Sequence, residues 1–179
     1  MNVRLIRCRR KSVGIRVTDE GEVIVRAPLR MPEAEIRRLL ESKRGWIEKT
    51  LEKVRSREQL PGFTEAELKA LAKQAKKTLP PLVEKWARQV GVSYGRIAVR
   101  SQKTRWGSCS SKGNLNFNCL LMLCPEEAVD YVIVHELCHR KELNHSAGFW
   151  AEVERVLPDY RRPLKWLKNE GQALIARLR

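Results

Sequence analysis

The histidines of this 179-residue chain are concentrated in one short stretch. There are three of them, and all lie between His135 and His145. His135 and His139 are four residues apart, so on a helix they lie on one face, about one turn from each other. Glu136 completes the pattern H-E-x-x-H, in which two imidazoles bind a metal ion and the carboxylate can deprotonate the metal-bound water. The stretch therefore predicts a helix that carries a catalytic zinc site.

The helix that carries this pattern is predicted to be buried. Pro125 suits its first turn, and apolar residues cover nearly its whole circumference. A pair of surface histidines beside a solvated glutamate is the alternative, and the apolar surroundings argue against it. These apolar positions are Ala128, Val129, Tyr131, Val132, Ile133, Val134 and Leu137. We therefore expect the metal at the base of a cleft.

A third ligand has to come from another segment, because hydrolytic zinc sites take three protein ligands and leave one position for water. His145 supplies it if the helix ends soon after His139 and the chain turns back, helped by a left-handed conformation at Asn144. One class of metalloproteases uses a downstream carboxylate instead, which makes Glu152 and Glu154 the alternatives.

The histidine spacing equals that of the metzincins, H-E-x-x-H-x-x-G-x-x-H. Their glycine makes a sharp turn, and here Glu142 occupies that position. No methionine follows the motif, so a Met-turn is also absent from the sequence. Cys138 lies within the motif, but a lone cysteine that points away from His135 is predicted to pack in the core.

The charge of the chain restricts its partners. The net charge is +15, with 16 Lys and Arg against 9 Asp and Glu in residues 1–60 and 20 against 12 in residues 61–179. A positive charge spread in this way favours anionic partners such as nucleotides, nucleic acid or acidic peptides, although a solvated basic surface is an equal alternative. Five cysteines without a C-x-x-C pair, no apolar run of membrane length and no signal peptide predict a cytoplasmic protein without membrane contact.

The first 60 residues read as a small sheet followed by a helix. Alternating apolar residues predict strands at 3–8, 13–17 and 23–27, the last two joined as a hairpin. An amphipathic helix follows over 33–55, with Trp46 and Ile47 on its apolar side. A linker is expected at 56–63, which separates an N-terminal region, 1–60, from a catalytic domain, 64–179.

The catalytic domain is predicted to alternate helices with short strands. Thr64 and Glu67 have the form of a capping box, and Pro80-Pro81 should break or kink the helix that starts there. Short strands are expected around Ile97 to Val99 and Leu115 to Phe117. After the histidine helix, two more helices are predicted, over residues 147–156 and 162–178.

Nearly the whole chain resembles the YgjP-like metal-dependent hydrolases, a zincin-fold family of metallopeptidase type with a more distant likeness to SprT-like proteins. The resemblance is carried mainly by Arg105-Trp106-Gly107-Ser108-Cys109-Ser110, by His135-Glu136-Leu137-Cys138-His139 and by Asn144-His145-Ser146. It implies an α+β fold: a zincin-like metallopeptidase domain with a small antiparallel sheet and an H-E-x-x-H helix, preceded by the N-terminal three-stranded sheet and helix.

The resemblance also implies roles for individual residues. Zinc would be bound by His135, His139 and His145, with Glu136 as the catalytic base. An edge strand near Asn114–Asn118 would lie above the metal and bind an extended peptide, which makes Asn116 and Asn118 candidate substrate contacts. Arg105 could stabilise an oxyanion or a phosphate, or equally pair with a nearby acid in a structural role. Trp106 and Trp150 are expected in the core.

Three functions remain open from the sequence. The first is a zinc peptidase, in which water activated by Glu136 attacks a peptide carbonyl. The second is a nucleoside triphosphate pyrophosphohydrolase, an activity attached to YgjP-like proteins, with Arg100, Lys103 and Arg105 holding phosphates. The third is a non-catalytic nucleic-acid binder with structural zinc, which ranks last because a closed structural site needs a fourth ligand that the sequence does not offer.

Overall fold

The computed structural model describes residues 3–18, 20–58 and 61–178. The chain forms two compact units, residues 1–61 and 62–179. Both contain helices and a three-stranded sheet, so the fold class is mixed α+β. No helix in these described ranges is long and apolar enough to cross a membrane.

The N-terminal unit contains the three predicted strands: β1 (Val3–Cys8), β2 (Gly14–Val17) and β3 (Val23–Pro28). β3 lies in the middle, antiparallel to β2 as the hairpin requires and parallel to β1. Its alternate residues are fully buried, as expected for a half-buried strand. They are Val23, Val25 and Ala27, and they pack with Ile36 and Ile47.

The single helix predicted over 33–55 is in fact two helices, α1 (Glu33–Ser42) and α2 (Arg44–Glu58). The break lies at Lys43, two residues before Gly45, whose backbone freedom disfavours a continuous helix. Ile47 is buried as predicted, whereas Trp46 is 50% exposed and lines a surface cavity with Val13, Ile15 and Leu39. The predicted linker is shorter than expected because α2 extends to residue 58, and residues 59–60 lie outside the described ranges.

The C-terminal unit begins with the long helix α3 (Glu65–Val90). The predicted capping box between Thr64 and Glu67 is present, and Gly91 ends the helix in a left-handed conformation with φ of 77°. Of the prediction that Pro80-Pro81 break or kink this helix, the break is wrong, because the helix continues through both prolines. The carbonyls that lose their helical donors to the prolines belong to Lys76 and Lys77, which are exposed, so water can satisfy them.

A second sheet contains β4 (Ile97–Arg100), β5 (Gly107–Cys109) and β6 (Leu115–Asn118), in the order β4-β6-β5. The sheet is mixed rather than antiparallel, because β4 is parallel to β6 while β5 is antiparallel to it. β6 therefore lies in the centre, and the expectation of an edge strand near Asn114–Asn118 is wrong. β5 is an edge strand of the described sheet.

Four further helices complete the unit: α4 (Glu126–Cys138), α5 (Ala147–Val156), α6 (Arg161–Trp166) and α7 (Gln172–Ala176). α5 has the predicted bounds. The single helix predicted over 162–178 is interrupted, because Leu167–Gly171 forms a π-helical turn, which is wider than an α-helical one, between α6 and α7. The main core packs α4 between α3 and the sheet and includes Leu79, Val83, Phe117, Ile133, Leu137 and Phe149.

Candidate active site

Helix α4 presents His135, Glu136 and His139 from within the core. Its remaining sides carry fully buried residues such as Ile133, Val134 and Leu137. Their burial fixes the rotation of the helix about its own axis. The helix ends at His139, whose Nδ1 donates a hydrogen bond to the backbone carbonyl of Glu142, 3.0 Å away. The early end of α4 therefore both orients His139 and starts the turn that the third histidine requires.

His145 returns to the same place from the start of α5. Ser146 is the N-cap of this helix, and its hydroxyl accepts a hydrogen bond from the backbone N–H of Phe149. Nε2 of His145 lies 3.0 Å from Nε2 of His135, and the ligand atoms of all three histidines lie within 4.8 Å of one another. No described residue other than glycine has a positive φ, so the left-handed conformation expected at Asn144 is wrong.

The imidazole rings are oriented through their outer nitrogens. The Tyr131 hydroxyl lies 3.2 Å from Nδ1 of His135, in the same way that the Glu142 carbonyl engages Nδ1 of His139. Both Nε2 atoms are thereby left for the cluster. Burial and the two neighbouring imidazoles lower the pKa of His135 to about 3, and burial also lowers the pKa of His139. Both rings are therefore neutral at neutral pH, which is the form that binds metals.

The carboxylate of Glu136 is enclosed beside the cluster. The residue is only 6% exposed, and burial raises the pKa of its carboxyl group to about 8, against the opposing effects of the Arg105 charge and a hydrogen bond from the Cys109 backbone. Gly107 explains how strand β5 approaches so closely. A Cβ at that position would lie 2.8 Å from Cγ and Oε1 of Glu136, so a side chain there would displace the carboxylate.

Arg105 is an exposed residue near the Glu136 carboxylate. Its side chain lines the same cavity as Glu136, and among the described residues it forms no ion pair, which disfavours the structural pairing considered for it. Its positive charge lowers the pKa of Glu136.

The two asparagines proposed as substrate contacts lie on the central strand β6. Asn118 is fully buried, donates to the carbonyls of Gln102 and Arg105 and accepts from the N–H of Leu120. It therefore holds the loop before β5, and the structure leaves it no surface for a substrate. Asn116 is half-buried and donates to the Ser108 hydroxyl on β5, 3.2 Å away.

The other ligands considered from the sequence are engaged elsewhere. Glu152 forms ion pairs with Lys141 and Arg155, and Glu154 pairs with Arg161. Cys138 is fully buried in the core, as predicted.

A stack of aromatic rings behind the histidines was not predicted. Tyr131 stacks on Tyr160 with ring centroids 6.4 Å apart, and Tyr160 stacks on Trp150 at 5.4 Å. Trp150 in turn lies against the rings of His135 and His145. The spacing of Tyr131 four residues before His135 is the one sequence signal of this arrangement, since it puts both on one helix face.

A cavity of about 240 Å³ opens beside His135 and Glu136. Its walls include Trp106 of the loop before β5 and Leu167 of the wide-turned segment. These turns bring Gly171 against Trp106, where an added Cβ would lie 3.0 Å from Cζ2 of the indole. The sequence did not predict this cavity, because two distant segments build it.

The chain matches a family of known proteins and is similar to solved structures. The family model described as YgjP-like, metallopeptidase domain, matches residues 11–69 and 63–170, which include the three histidines and Glu136. Among solved structures, the chain is similar to the metallopeptidase zymogen abylysin of Pyrococcus abyssi, at 26% identity and a TM-score of 0.50, over 53% of this chain and 96% of that one. It is also similar to the metallopeptidase zymogen jannalysin of Methanocaldococcus jannaschii, at 22% identity and a TM-score of 0.41, over 49% and 92% of the two chains. A comparison with curated proteins finds no match.

Proposed function

We propose, since this chain belongs to the YgjP-like metallopeptidase family, that it is a zinc-dependent peptidase whose ion is held by His135, His139 and His145. The observation that carries the proposal is the convergence of three imidazoles beside a buried carboxylate. The proposal assigns to Glu136 the role of the base that takes a proton from the attacking water.

The donor set fits zinc. Three imidazoles with a fourth position open are typical of catalytic zinc sites, and two nitrogens bound to one zinc ion, each at about 2.0–2.1 Å, must lie within about 4 Å of each other. The 3.0 Å between Nε2 of His135 and Nε2 of His145 meets this requirement, and the ligand atoms of all three histidines lie within 4.8 Å of one another, a somewhat wider spacing. The hydrogen bonds at the Nδ1 atoms of His135 and His139 match the outer contacts that fix metal-binding histidines elsewhere.

Zinc, Glu136 and Arg105 would each contribute differently to peptide hydrolysis. When bound, zinc supplies Lewis acidity, which polarises a carbonyl and brings the pKa of water to about 7. Glu136 accepts the proton of the attacking water and passes it to the departing amine. The positive charge of Arg105 favours the ionised form of Glu136, and its guanidinium offers a hydrogen-bond donor for developing negative charge.

The substrate backbone has a place to bind. Strand β5 pairs with β6 on one side only within the described sheet, and Gly107 brings its backbone against Glu136. We expect an extended peptide to add to β5 through main-chain hydrogen bonds, so that one peptide bond lies over the histidine cluster. This proposal moves the expected strand addition from β6 to β5.

The Glu136→Gln variant tests the mechanism. It keeps the shape of the side chain and removes the base, so we expect zinc content to stay stoichiometric while cleavage of an unfolded protein substrate falls by at least about 100-fold. Glu142→Gln is the matched control, because Glu142 lies near the cluster but touches it through its backbone carbonyl. Undiminished cleavage by the Glu136 variant would refute the assignment.

A second candidate is hydrolysis of nucleoside triphosphates at the same site. It is favoured by two cations at the cavity, Arg105 and Lys168, which have no ion-pair partner in the part of the chain that the structure describes. Release of pyrophosphate that depends on Glu136, without any peptide cleavage, would favour this activity. A structural zinc site remains last, since the described cluster offers three ligands rather than four.

A further inference from the structure

We propose that the cavity beside Glu136 binds one apolar side chain of a peptide substrate, and that Lys168 at its mouth selects peptides with a carboxylate next to that side chain. The proposal rests on the proposed peptidase function and goes further by naming a substrate class. Lys168 becomes a specificity-determining residue.

The cavity has the composition of a side-chain pocket. Apolar groups of Trp106, Val132, Leu164 and Leu167 form much of its lining. Its volume of about 240 Å³ exceeds what a single apolar side chain requires, and it adjoins Glu136 directly. A peptide that lies along β5 with its scissile bond at the histidines would therefore have a neighbouring side chain directed into it. Burying such a side chain contributes roughly 1.5–3 kcal/mol, so the pocket is suited to set the register of the substrate.

The wide-turned segment Leu167–Gly171 shapes this pocket. An added Cβ at Gly171 would lie 3.0 Å from Cζ2 of the Trp106 indole, so the glycine allows this segment to approach the wall of the pocket closely. Within the segment, Leu167 is buried in the wall, while Lys168 lines the pocket and is exposed. Interruptions of this kind are frequent at functional sites.

The mouth of the pocket is positively charged. Lys168 and Arg105 both line the cavity and are both exposed, and no carboxylate pairs with either among the residues that the structure describes. By contrast, Arg161 and Arg162 on the preceding helix α6 both have glutamate partners. Two unpaired cations above an apolar floor are complementary to a ligand that is apolar at one end and anionic beside it. In a peptide, that description fits a large apolar residue followed by Asp, Glu or the chain-terminal carboxylate.

Binding to the zinc-loaded Glu136→Gln protein tests the proposal without turnover. Short labelled peptides would carry Phe followed by Glu, Gln or Lys, each with a free or an amidated C-terminus, and affinity would be measured by fluorescence anisotropy. We expect the Glu peptide to bind about 2- to 5-fold more tightly than the Gln peptide, which is the range for an exposed ion pair. Adding Lys168→Glu should reverse the order of affinity, so that the Lys peptide binds more tightly than the Glu peptide. The free and amidated termini distinguish a side-chain carboxylate from a terminal one.

Lys165→Glu is the matched control, because Lys165 is exposed on the adjoining helix α6 but is not among the residues that line the cavity. We expect Lys165→Glu to leave the order of the peptide affinities unchanged. A Lys165 effect equal to that of Lys168, or equal binding of the Glu and Gln peptides, would overturn the proposal in favour of the general charge of the chain. Leu164→Phe, which narrows the pocket, should weaken Phe peptides more than Ala peptides, and an equal loss for both would also overturn it.

The two proposals fail in different ways. If the wild-type protein cleaves peptides without preferring an acidic residue, the peptidase assignment stands and the pocket proposal falls. If the inactive variant shows the Lys168-dependent preference while the wild type cleaves no peptide, the pocket stands and the peptidase assignment falls. Binding of a nucleoside triphosphate that depends on Lys168, with no peptide bound, would replace the acidic peptide as the ligand.

Discussion

At the scale of single residues, the state of His135 depends on Tyr131, one turn earlier in α4. If Nδ1–H of His135 donates to the Tyr131 hydroxyl, Nε2 keeps its lone pair for a metal ion. We expect Tyr131→Phe, which removes only this hydroxyl, to weaken zinc binding by roughly 10- to 100-fold, the usual effect of losing such a contact. Competition with a chromophoric chelator would measure it.

Tyr160→Phe controls for the loss of a hydroxyl from the same aromatic stack. Tyr160 lies between Tyr131 and Trp150, and no hydrogen bond joins it to the histidines. Its variant should bind zinc normally. If both variants lost the same affinity, the effect would come from the packing of the rings and not from the Tyr131 hydroxyl.

Glu136 should give the metal-free protein a characteristic pH dependence. Burial raises the pKa of its carboxyl group from 4.5 to about 8 in the folded chain. Between these pH values the unfolded chain binds fewer protons at this residue, so its contribution to the free energy of unfolding falls as the pH rises. Urea unfolding of chelator-treated protein across this window should show the fall, and Glu136→Gln should lack it.

The quantity to measure is the difference in the free energy of unfolding between the wild-type protein and the Glu136→Gln variant at each pH. His135 acts in the opposite direction, because its pKa is lowered from 6.5 to about 3 and its contribution to stability therefore rises with pH between those values. Both proteins contain His135, so its effect cancels. Identical pH profiles for the two proteins would contradict the raised pKa of Glu136.

At the scale of secondary-structure elements, the N-terminus of α5 positions the third histidine. Ser146 caps this helix, and the residue directly before it is His145, which is exposed. Ser146→Ala should cost about 1 kcal/mol of stability through the lost cap. It should also weaken zinc binding, because the backbone beside His145 loses its anchor. Thermal unfolding and chelator competition would measure the two effects.

Thr64→Ala is the matched control, since Thr64 caps α3 through the same type of hydrogen bond. A similar loss of stability is expected, but zinc affinity should stay at its wild-type value. If Ser146→Ala lowered stability alone, the cap would have no role in placing His145.

The elements that the sequence mispredicted share a cause. Pro80-Pro81 stays within α3, where the residues whose carbonyls lose their donors, Lys76 and Lys77, are exposed, and local propensity says nothing about exposure. Strand β5 was missed because Gly107–Cys109 is short and lacks an alternating apolar pattern. Both outcomes depend on neighbours that are distant in sequence, which a local pattern does not contain.

At the scale of the whole molecule, each unit has its own core. The main core of the C-terminal unit draws its buried residues from 75–167, and the N-terminal unit has a separate cluster between 23 and 47. We expect residues 62–179, produced alone, to fold cooperatively and to bind one zinc ion. Circular dichroism and metal analysis would test this, and a disordered or zinc-free fragment would show that the N-terminal unit is needed for folding.

The sequence alone was sufficient for the parts of this protein that depend on local pattern. The period of the apolar residues predicted most helices and both hairpin strands of the N-terminal sheet, and the three clustered histidines with Glu136 indicated one metal site. The cap formed by Thr64 and Glu67 is confirmed because a cap is a property of neighbouring residues. The two histidines one helical turn apart lie together for the same reason, and their binding of a metal ion stays a prediction.

Tertiary structure decided what surrounds that site. Packing in the core enclosed Glu136 and raised its pKa, set Tyr131 against His135, and left β5 rather than β6 at the sheet edge. It also joined the loop at Trp106 to the turns at Lys168 to form the cavity. Burial, charge and shape at a point in space depend on segments far apart in the chain, and for this reason the sequence indicated candidate metal ligands while the structure was needed to propose which peptides bind.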